Sequence, residues 1–275
     1  MGPIASPPAT TTSEEPIEAS PGRVLRWWRS PLGFRLLLEA AMLYGLLSAY
    51  KLVRLLARGQ VGEAFANARS VMRLERHLGI FTEADLQRLV IHSETAVRLV
   101  NTYYARAHIP ATAVCLLALY FFRPNAYRSA RRVLITMTSL ALVIHLVYPL
   151  APPRMHPWLG FIDTGLVFGP SPYGKGSVFA GIANQMAAMP SMHFGWAVLV
   201  AWAAIRFTRT RWRWLVIIHP ILTLLAIVLT ANHFWLDAVV AGVLFLVALR
   251  LDAAWEHRRI ADRRVAGGTI AVPGS

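Results

Sequence analysis

Residues 214–251 read WLVIIHPILTLLAIVLTANHFWLDAVVAGVLFLVALRL. Two apolar blocks, Trp214 to Ala231 and His233 to Leu251, meet around Ala231-Asn232-His233-Phe234-Trp235-Leu236-Asp237. Each block is close to the roughly 20 mostly apolar residues that a helix needs to cross a bilayer. Placing an ionisable side chain inside such a block is costly, so His233 and Asp237 become candidates for function at once.

The same pattern recurs towards the N-terminus. Apolar blocks run Leu36 to Leu56 (interrupted by Glu39 and Lys51), Val97 to Phe122 (polar in its first half), Val133 to Leu150 and Ser191 to Phe207. Hydrophobic residues make up 56% of the chain and charged ones 15%, with a mean hydropathy of +0.46. A soluble domain carries about a quarter charged residues. The reading is an all-α polytopic membrane protein, with six transmembrane helices in a bundle. Between the first two blocks, Val71, Leu74, Leu78 and Leu86, Leu89, Val90 recur at helical spacing. They predict an amphipathic surface helix within 57–96. Residues 1–22, rich in Pro, Ser, Thr and Glu, read as a disordered cytoplasmic tail. Residues 23–255 form the membrane catalytic domain, and 256–275 a basic cytoplasmic tail. Arg23, Arg26 and Arg29 around Trp27 and Trp28 suit an interfacial anchor, and Trp196, Trp202, Trp212, Trp214 and Trp235 suit interface belts. Cys115, the single cysteine, excludes an internal disulfide and reads as a packing residue.

The formal net charge of +14 resides almost wholly in arginines between the apolar blocks. No zinc-finger or helix-turn-helix motif accompanies them, so the expected partners are anionic lipids and not nucleic acid. Arg123, Arg128, Arg131 and Arg132 follow the second block, Arg206, Arg209, Arg211 and Arg213 the fourth, and Arg258, Arg259, Arg263 and Arg264 the sixth. The connection after the third block has only Arg154 and Lys175. The positive-inside rule then places both termini in the cytoplasm and the sparsely charged connections on the outer face of the cell membrane. The arginines of 57–96 are assigned to headgroups at the surface.

Three short segments therefore share one side: Tyr148-Pro-Leu-Ala-Pro-Pro-Arg154, Met189-Pro-Ser-Met-His193 and Ala231 to Asp237. His233 and Asp237 stand at i and i+4, which predicts one helical face. A carboxylate there fixes the imidazole tautomer and stabilises positive charge on the ring. His193 lies in the first predicted turn of the fourth span, with Pro190 read as its first helical residue. Free N–H groups at that helix start favour an anion, and the Arg154 guanidinium can fork onto phosphate oxygens. Two histidines, an aspartate and an arginine make a phosphoryl-transfer site with no metal and no cofactor. Tyr104 and His108 share a face of the second span. With Lys175 and Asn184 (and its neighbour Gln185) they are candidate substrate-shaping residues.

At these positions the chain resembles the type-2 phosphatidic acid phosphatase superfamily. Pro190-Ser191-x-His193 is similar to its second signature and His233-x-x-x-Asp237 to the end of its third. Met-Pro-Ser-Met-His followed by Asn-His-Phe-Trp-Leu-Asp is closer to the inositol phosphorylceramide synthase branch. The resemblance spans roughly 97–250. It implies a six-helix fold and a phosphohistidine intermediate. His233 would be the nucleophile, Asp237 its orienting partner and His193 the acid, while Arg154 and Ser191 would bind phosphate. Two signature cations are replaced: Val147 stands in place of a lysine and Ile227 in place of an arginine. Met155 follows Arg154 where a proline is usual. The pair Arg123-Pro124 falls on the cytoplasmic side and is set aside.

The expected activity is a metal-independent lipid phosphoesterase or phosphotransferase acting on a membrane phospholipid or prenyl phosphate. The replaced cations tilt the reading towards head-group transfer. A simple phosphatase of phosphatidate or prenyl phosphate is one alternative, and a non-enzymatic transporter or scaffold another.

Overall fold

The computed structural model describes residues 31–56, 59–171 and 185–268. Expectations for 1–22, for the Arg23–Arg29 anchor, and for Lys175 and Asn184 lie outside the described residues. The chain divides into two units, Met1–Leu47 and Ser48–Ser275, and the second holds all the helices after α1. Its helices begin with the last turns of α1 (Pro31–Leu56). They continue as α2 (Val61–His77), α3 (Glu83–Val90), α4 (Glu94–Arg106), α5 (His108–Phe122), α6 (Pro124–Val147), α7 (Thr164–Phe168), α8 (Met192–Phe207), α9 (Ile218–Leu229) and α10 (Trp235–Gly268). Among the described residues there is no β-strand, only an isolated parallel bridge between Leu150 and Ala187.

Three helical segments are long and apolar enough to cross a membrane: α6, Arg211–Leu229 and Trp235–Asp262. The α4–α5 pair, bent by 42°, makes a fourth if it is counted as one span. The α8 helix is apolar but shorter, and α1 carries Arg35, Glu39, Lys51 and Arg54 within its 26 residues. The protein is thus a helical membrane protein.

Proline explains where the elements depart from the sequence reading. The predicted single span 97–122 breaks at Ala107, because Pro110 has no N–H to bond the Arg106 carbonyl and its ring crowds it. Pro124 sits in the first turn of α6, so that helix starts nine residues before its apolar block does. Pro149 forces Tyr148 out of the helical region, and α6 stops at Val147. Pro220 likewise delays α9, and the chain reaches it through a 3₁₀ stretch, Arg211–Ile217. The last helix does not end with its apolar block but continues to Gly268.

The bundle core lies between α6, α8 and α10, where Val133, Met137, Ala141, Leu199, Leu244, Phe245 and Ala248 are buried together. Small residues let the helices approach closely. A methyl added at Gly195 of α8 would stand 3.2 Å from Met137 Sδ and 3.7 Å from Ala241 Cβ. At one end of the bundle, Asp252 of α10 accepts hydrogen bonds from Ser129 Oγ and Arg132 Nε of α6.

Helix α2 packs on the opposite end. The buried face of α2 is Ala64, Ala68, Val71, Met72 and Glu75, and it meets Leu150, Ala151, Ala188, Met189 and Phe234. Of the residues whose spacing predicts an amphipathic surface helix, Val71 is buried against the protein and Leu74, Leu78 and Leu89 are exposed. Alanine spacing marks the protein-facing side, because flat small residues permit close backbone contact. The Ala151 N–H in fact donates to the Ala64 carbonyl at 3.2 Å.

Candidate active site

Three loops converge under α2 and α3. The loop after α6 crosses the one before α8 through the Leu150 N–H to Met186 carbonyl bond, 2.7 Å, and the Ala188 N–H to Leu150 carbonyl bond, 3.2 Å. The Arg154 N–H donates to the Ala231 carbonyl at 2.8 Å, which ties in the loop before α10. Ser191 N–H donates to the Asp237 carbonyl at 3.0 Å, joining the starts of α8 and α10.

His233 lies two residues before α10, so it and Asp237 do not share a helical face as the i, i+4 spacing suggested. They meet because Asp237, in the first turn, reaches back over the helix start. Its Oδ2 accepts the Phe234 N–H at 2.9 Å and stands 3.2 Å from His233 Nδ1. This is the N3 half of a capping box, a carboxylate reaching back to the N–H before the helix. His233 Nδ1 is also 2.7 Å from the Ala188 carbonyl oxygen. A carbonyl can only accept, so Nδ1 carries the proton. The lone pair of the neutral ring is then on Nε2. Asp237 is fully buried.

The ring of His193, in the first turn of α8, has its centroid 5.9 Å from that of His233. Tyr104 stacks on His193 at 4.4 Å and 22°, and His108 lies 3.9 Å away on it. The bend between α4 and α5 does not separate Tyr104 from His108; it delivers both to the same imidazole. Ser191 is the cap of α8, its Oγ accepting the Phe194 N–H at 3.5 Å. Pro190 therefore precedes the cap and is not the first helical residue.

Arg154 is buried in the loop after α6. Its Nη1 donates to Asn232 Oδ1 at 3.0 Å, and its Nε is 3.3 Å from Asp163 Oδ2. The guanidinium is thereby fixed against the residue next to His233. Asn232 in turn donates to Thr230 Oγ1 at 2.8 Å. Ala231 between them has φ +52°, in the left-handed region, and is fully buried.

Several residues were missed by the sequence reading. Asn232 and Asp163 position the arginine. His145, buried in the last turn of α6, has Nε2 3.4 Å from the Pro190 carbonyl; a histidine inside an apolar block was signal enough to find it. His156 packs between Phe65 and Trp158 and donates Nδ1–H to the Pro152 carbonyl at 3.1 Å, and burial holds its imidazole below the usual range. Glu75 and Glu83 are buried beside α10, and Gln87 reaches the backbone of both Ile162 and Leu229.

An apolar cleft of about 640 Å³ opens beside this centre, lined by Ile80, Thr82, Phe194, Leu224, Trp235 and Val239 among others. Phe194 and Trp235 each lie within two residues of a site histidine. Among the described residues no group of three His, Cys, Asp or Glu side chains is arranged to hold a metal ion.

A helical membrane bundle that gathers imidazoles, an arginine and a carboxylate beside an apolar cleft has the make-up of a protein that handles phosphate esters of lipids. The family model of the PAP2 superfamily matches residues 69–251, more than half of the chain, and the chain belongs to that superfamily. No curated protein and no solved structure matches it. Family membership makes it an enzyme of lipid phosphatase type, with a lipid phosphate as substrate.

Proposed function

We propose that the chain is a polytopic lipid phosphoesterase or phosphotransferase with His233 as nucleophile, Asp237 as its orienting partner and His193 as the general acid. The observation that carries this reading is the pair of acceptors on His233 Nδ1, at 2.7 and 3.2 Å, which leaves Nε2 as the attacking atom with a second imidazole 5.9 Å away. Nε2 forms a bond to phosphorus while the ester P–O bond breaks, and protonated His193 gives its proton to the departing alkoxide. Water or an alcohol then attacks phosphorus, His193 takes its proton back, and the P–N bond breaks. Arg154 and Ser191 hold the non-reacting phosphate oxygens, and Tyr104 and His108 keep the His193 ring in place.

Six membrane crossings, with the site at the outer face and both termini inside, complete the reading; they rest on the arginine distribution. The bent α4–α5 pair serves as one crossing in it. A phospholipid or prenyl phosphate would enter with its apolar part in the cleft beside Phe194 and Trp235. Head-group transfer, as in the inositol phosphorylceramide synthase branch, is favoured by Val147 and Ile227 standing where hydrolytic relatives carry cations. With fewer charges at the phosphate, the site attracts less water and leaves room for an acceptor hydroxyl.

The test is turnover by the purified protein in vesicles, with phosphatidate, prenyl phosphates and phosphatidylinositol plus ceramide offered in turn. Radiolabel in inorganic phosphate marks hydrolysis, and label in a new lipid marks transfer. Base-stable, acid-labile label on His233, lost in His233→Ala, is the expected signature. Full turnover by His233→Ala refutes the assignment.

A further inference from the structure

The start of α10 leaves three backbone N–H groups that no carbonyl of the helix can accept. Asp237 takes the Phe234 N–H. Glu83 Oε1, from α3, takes the Trp235 N–H at 3.3 Å. Glu75 Oε1, from α2, takes the Leu236 N–H at 2.8 Å. Both glutamates are fully buried, they cap neighbouring N–H groups of one turn, and the second oxygen of each, Glu75 Oε2 and Glu83 Oε2, is buried with no other hydrogen-bond partner among the described residues. The Trp235 indole N–H adds a bond to Thr82 Oγ1, 3.2 Å, at the start of α3. Helices α2 and α3 are thus fastened to the two residues that separate His233 and Phe234 from Asp237.

Two buried carboxyls on adjacent N–H groups of one turn repel each other when both are ionised, which favours a proton shared between them. Both ionisable groups that face Glu75, Glu83 from α3 and Asp237 from α10, are carboxyls. Behind Asp237 stand His233 and Tyr148. The pair carries one negative charge at the positive end of a 34-residue helix, a favourable placement.

We propose that Glu75 and Glu83 are positioning residues of the phosphoryl-transfer site: a proton-sharing clamp that sets the first turn of α10 and, through it, the Asp237–His233 contact. The proposal rests on the reading of His233 as nucleophile. Neither glutamate touches the reacting atoms; they act through Leu236 and Trp235. Burial first, then the neighbouring Glu83, pushes the Glu75 carboxyl up to about 9. Its folded value lies above its unfolded one, so the folded state holds the extra proton between about 4.5 and 9. Stability therefore falls as pH rises through that window, and above about 9 two charges face each other beside Asp237.

The experiment uses the full-length protein in vesicles. Turnover is measured from pH 6 to 10.5 for wild type, Glu75→Gln, Glu83→Gln and Glu75→Ala, with His233→Ala alongside and thermal unfolding recorded for each. A glutamine reproduces the protonated partner, because its amide can donate to the remaining carboxylate while its oxygen still accepts the α10 N–H. Glu75→Ala is expected to lower kcat about a hundredfold with KM little changed, the scale of a misplaced catalytic group. Glu75→Gln or Glu83→Gln should recover most of that loss and move the alkaline limb of kcat upward from about 9. In infrared spectra at pH 7, a protonated-carboxyl band should be present in wild type and absent in the Gln/Gln double variant. A purely structural role would lower the unfolding midpoint and leave kcat per folded molecule and its pH limb unmoved; that result, or an unchanged band in the double variant, overturns the clamp. Full activity of His233→Ala instead overturns the nucleophile assignment, and the infrared band still decides the shared proton.

Discussion

Replacing Asp237 by Asn tests how the charge and the tautomer of His233 are divided between two acceptors. Asn keeps the shape and can still present an oxygen to the Phe234 N–H, so the helix start survives. The Nδ1 proton remains held by the Ala188 carbonyl at 2.7 Å, an acceptor that no side-chain substitution removes. What is lost is a full negative charge 3.2 Å from the imidazole. At an effective dielectric constant near 20, that charge is worth about 5 kcal/mol to a fully positive ring. A ring carrying roughly half a positive charge in the transition state gains about half of this, or about 2.5 kcal/mol. At 1.36 kcal/mol per decade, kcat/KM should fall about a hundredfold. That is smaller than the roughly 10⁴-fold loss known where the aspartate alone sets the tautomer of a catalytic histidine. The assay is initial phosphate release or transfer in vesicles, with the phosphoenzyme trapped in parallel. An Asp237→Asn protein within threefold of wild type would show that the carboxylate does not act on the ring. One as inactive as His233→Ala, yet equally stable, would show that the Ala188 carbonyl does not hold the tautomer.

Arg154→Lys should lose one of the two contacts to Asn232 and Asp163, because an ammonium has no fork. A charged hydrogen bond is worth about 1.5–3 kcal/mol, so kcat/KM should drop about ten- to a hundredfold, and an unchanged value would remove Arg154 from the site. Ala231 occupies left-handed backbone, φ +52°, which a β-branched residue adopts poorly. Ala231→Val should lower the thermal unfolding midpoint by the equivalent of about 2 kcal/mol while Ala231→Gly does not; equal losses from both would refute the backbone argument. Gly195→Leu should cost about 1–3 kcal/mol by forcing α8 off Met137 and Ala241. Gly195→Ala should cost less, since the Met137 thioether can shift; the contrast in unfolding midpoints is the check.

The grouping of Arg154, His193, His233 and Asp237 was legible because each stands in a short polar segment at the end of an apolar block. The helix starts were not: Pro190 reads as a first helical residue but precedes the Ser191 cap, and α6 begins at Pro124, nine residues before its apolar block. The helix break at Ala107 was available from Pro110, but apolar continuity hid it. The supports of the site were not legible. Asn232 binding Arg154 spans 78 positions, and Leu236 binding Glu75 spans 161; no local pattern announces either. Glu75 lies on a helix whose alanines face inward, and alanine spacing is a weak hydrophobic signal. From its leucines, 57–96 reads as an amphipathic surface segment, whereas the alanine face of α2 packs against the loops after α6 and before α8.

The kink at Ala107 puts a constraint on chain length as well as on composition. Tyr104 lies in the last turn of one helix, His108 opens the next, and both rings rest on His193. One residue gained or lost between them would swing His108 by about 100° around the helix axis, away from its partner. Relatives that use the same arrangement are then free to exchange residues 105–107 but not to change their number.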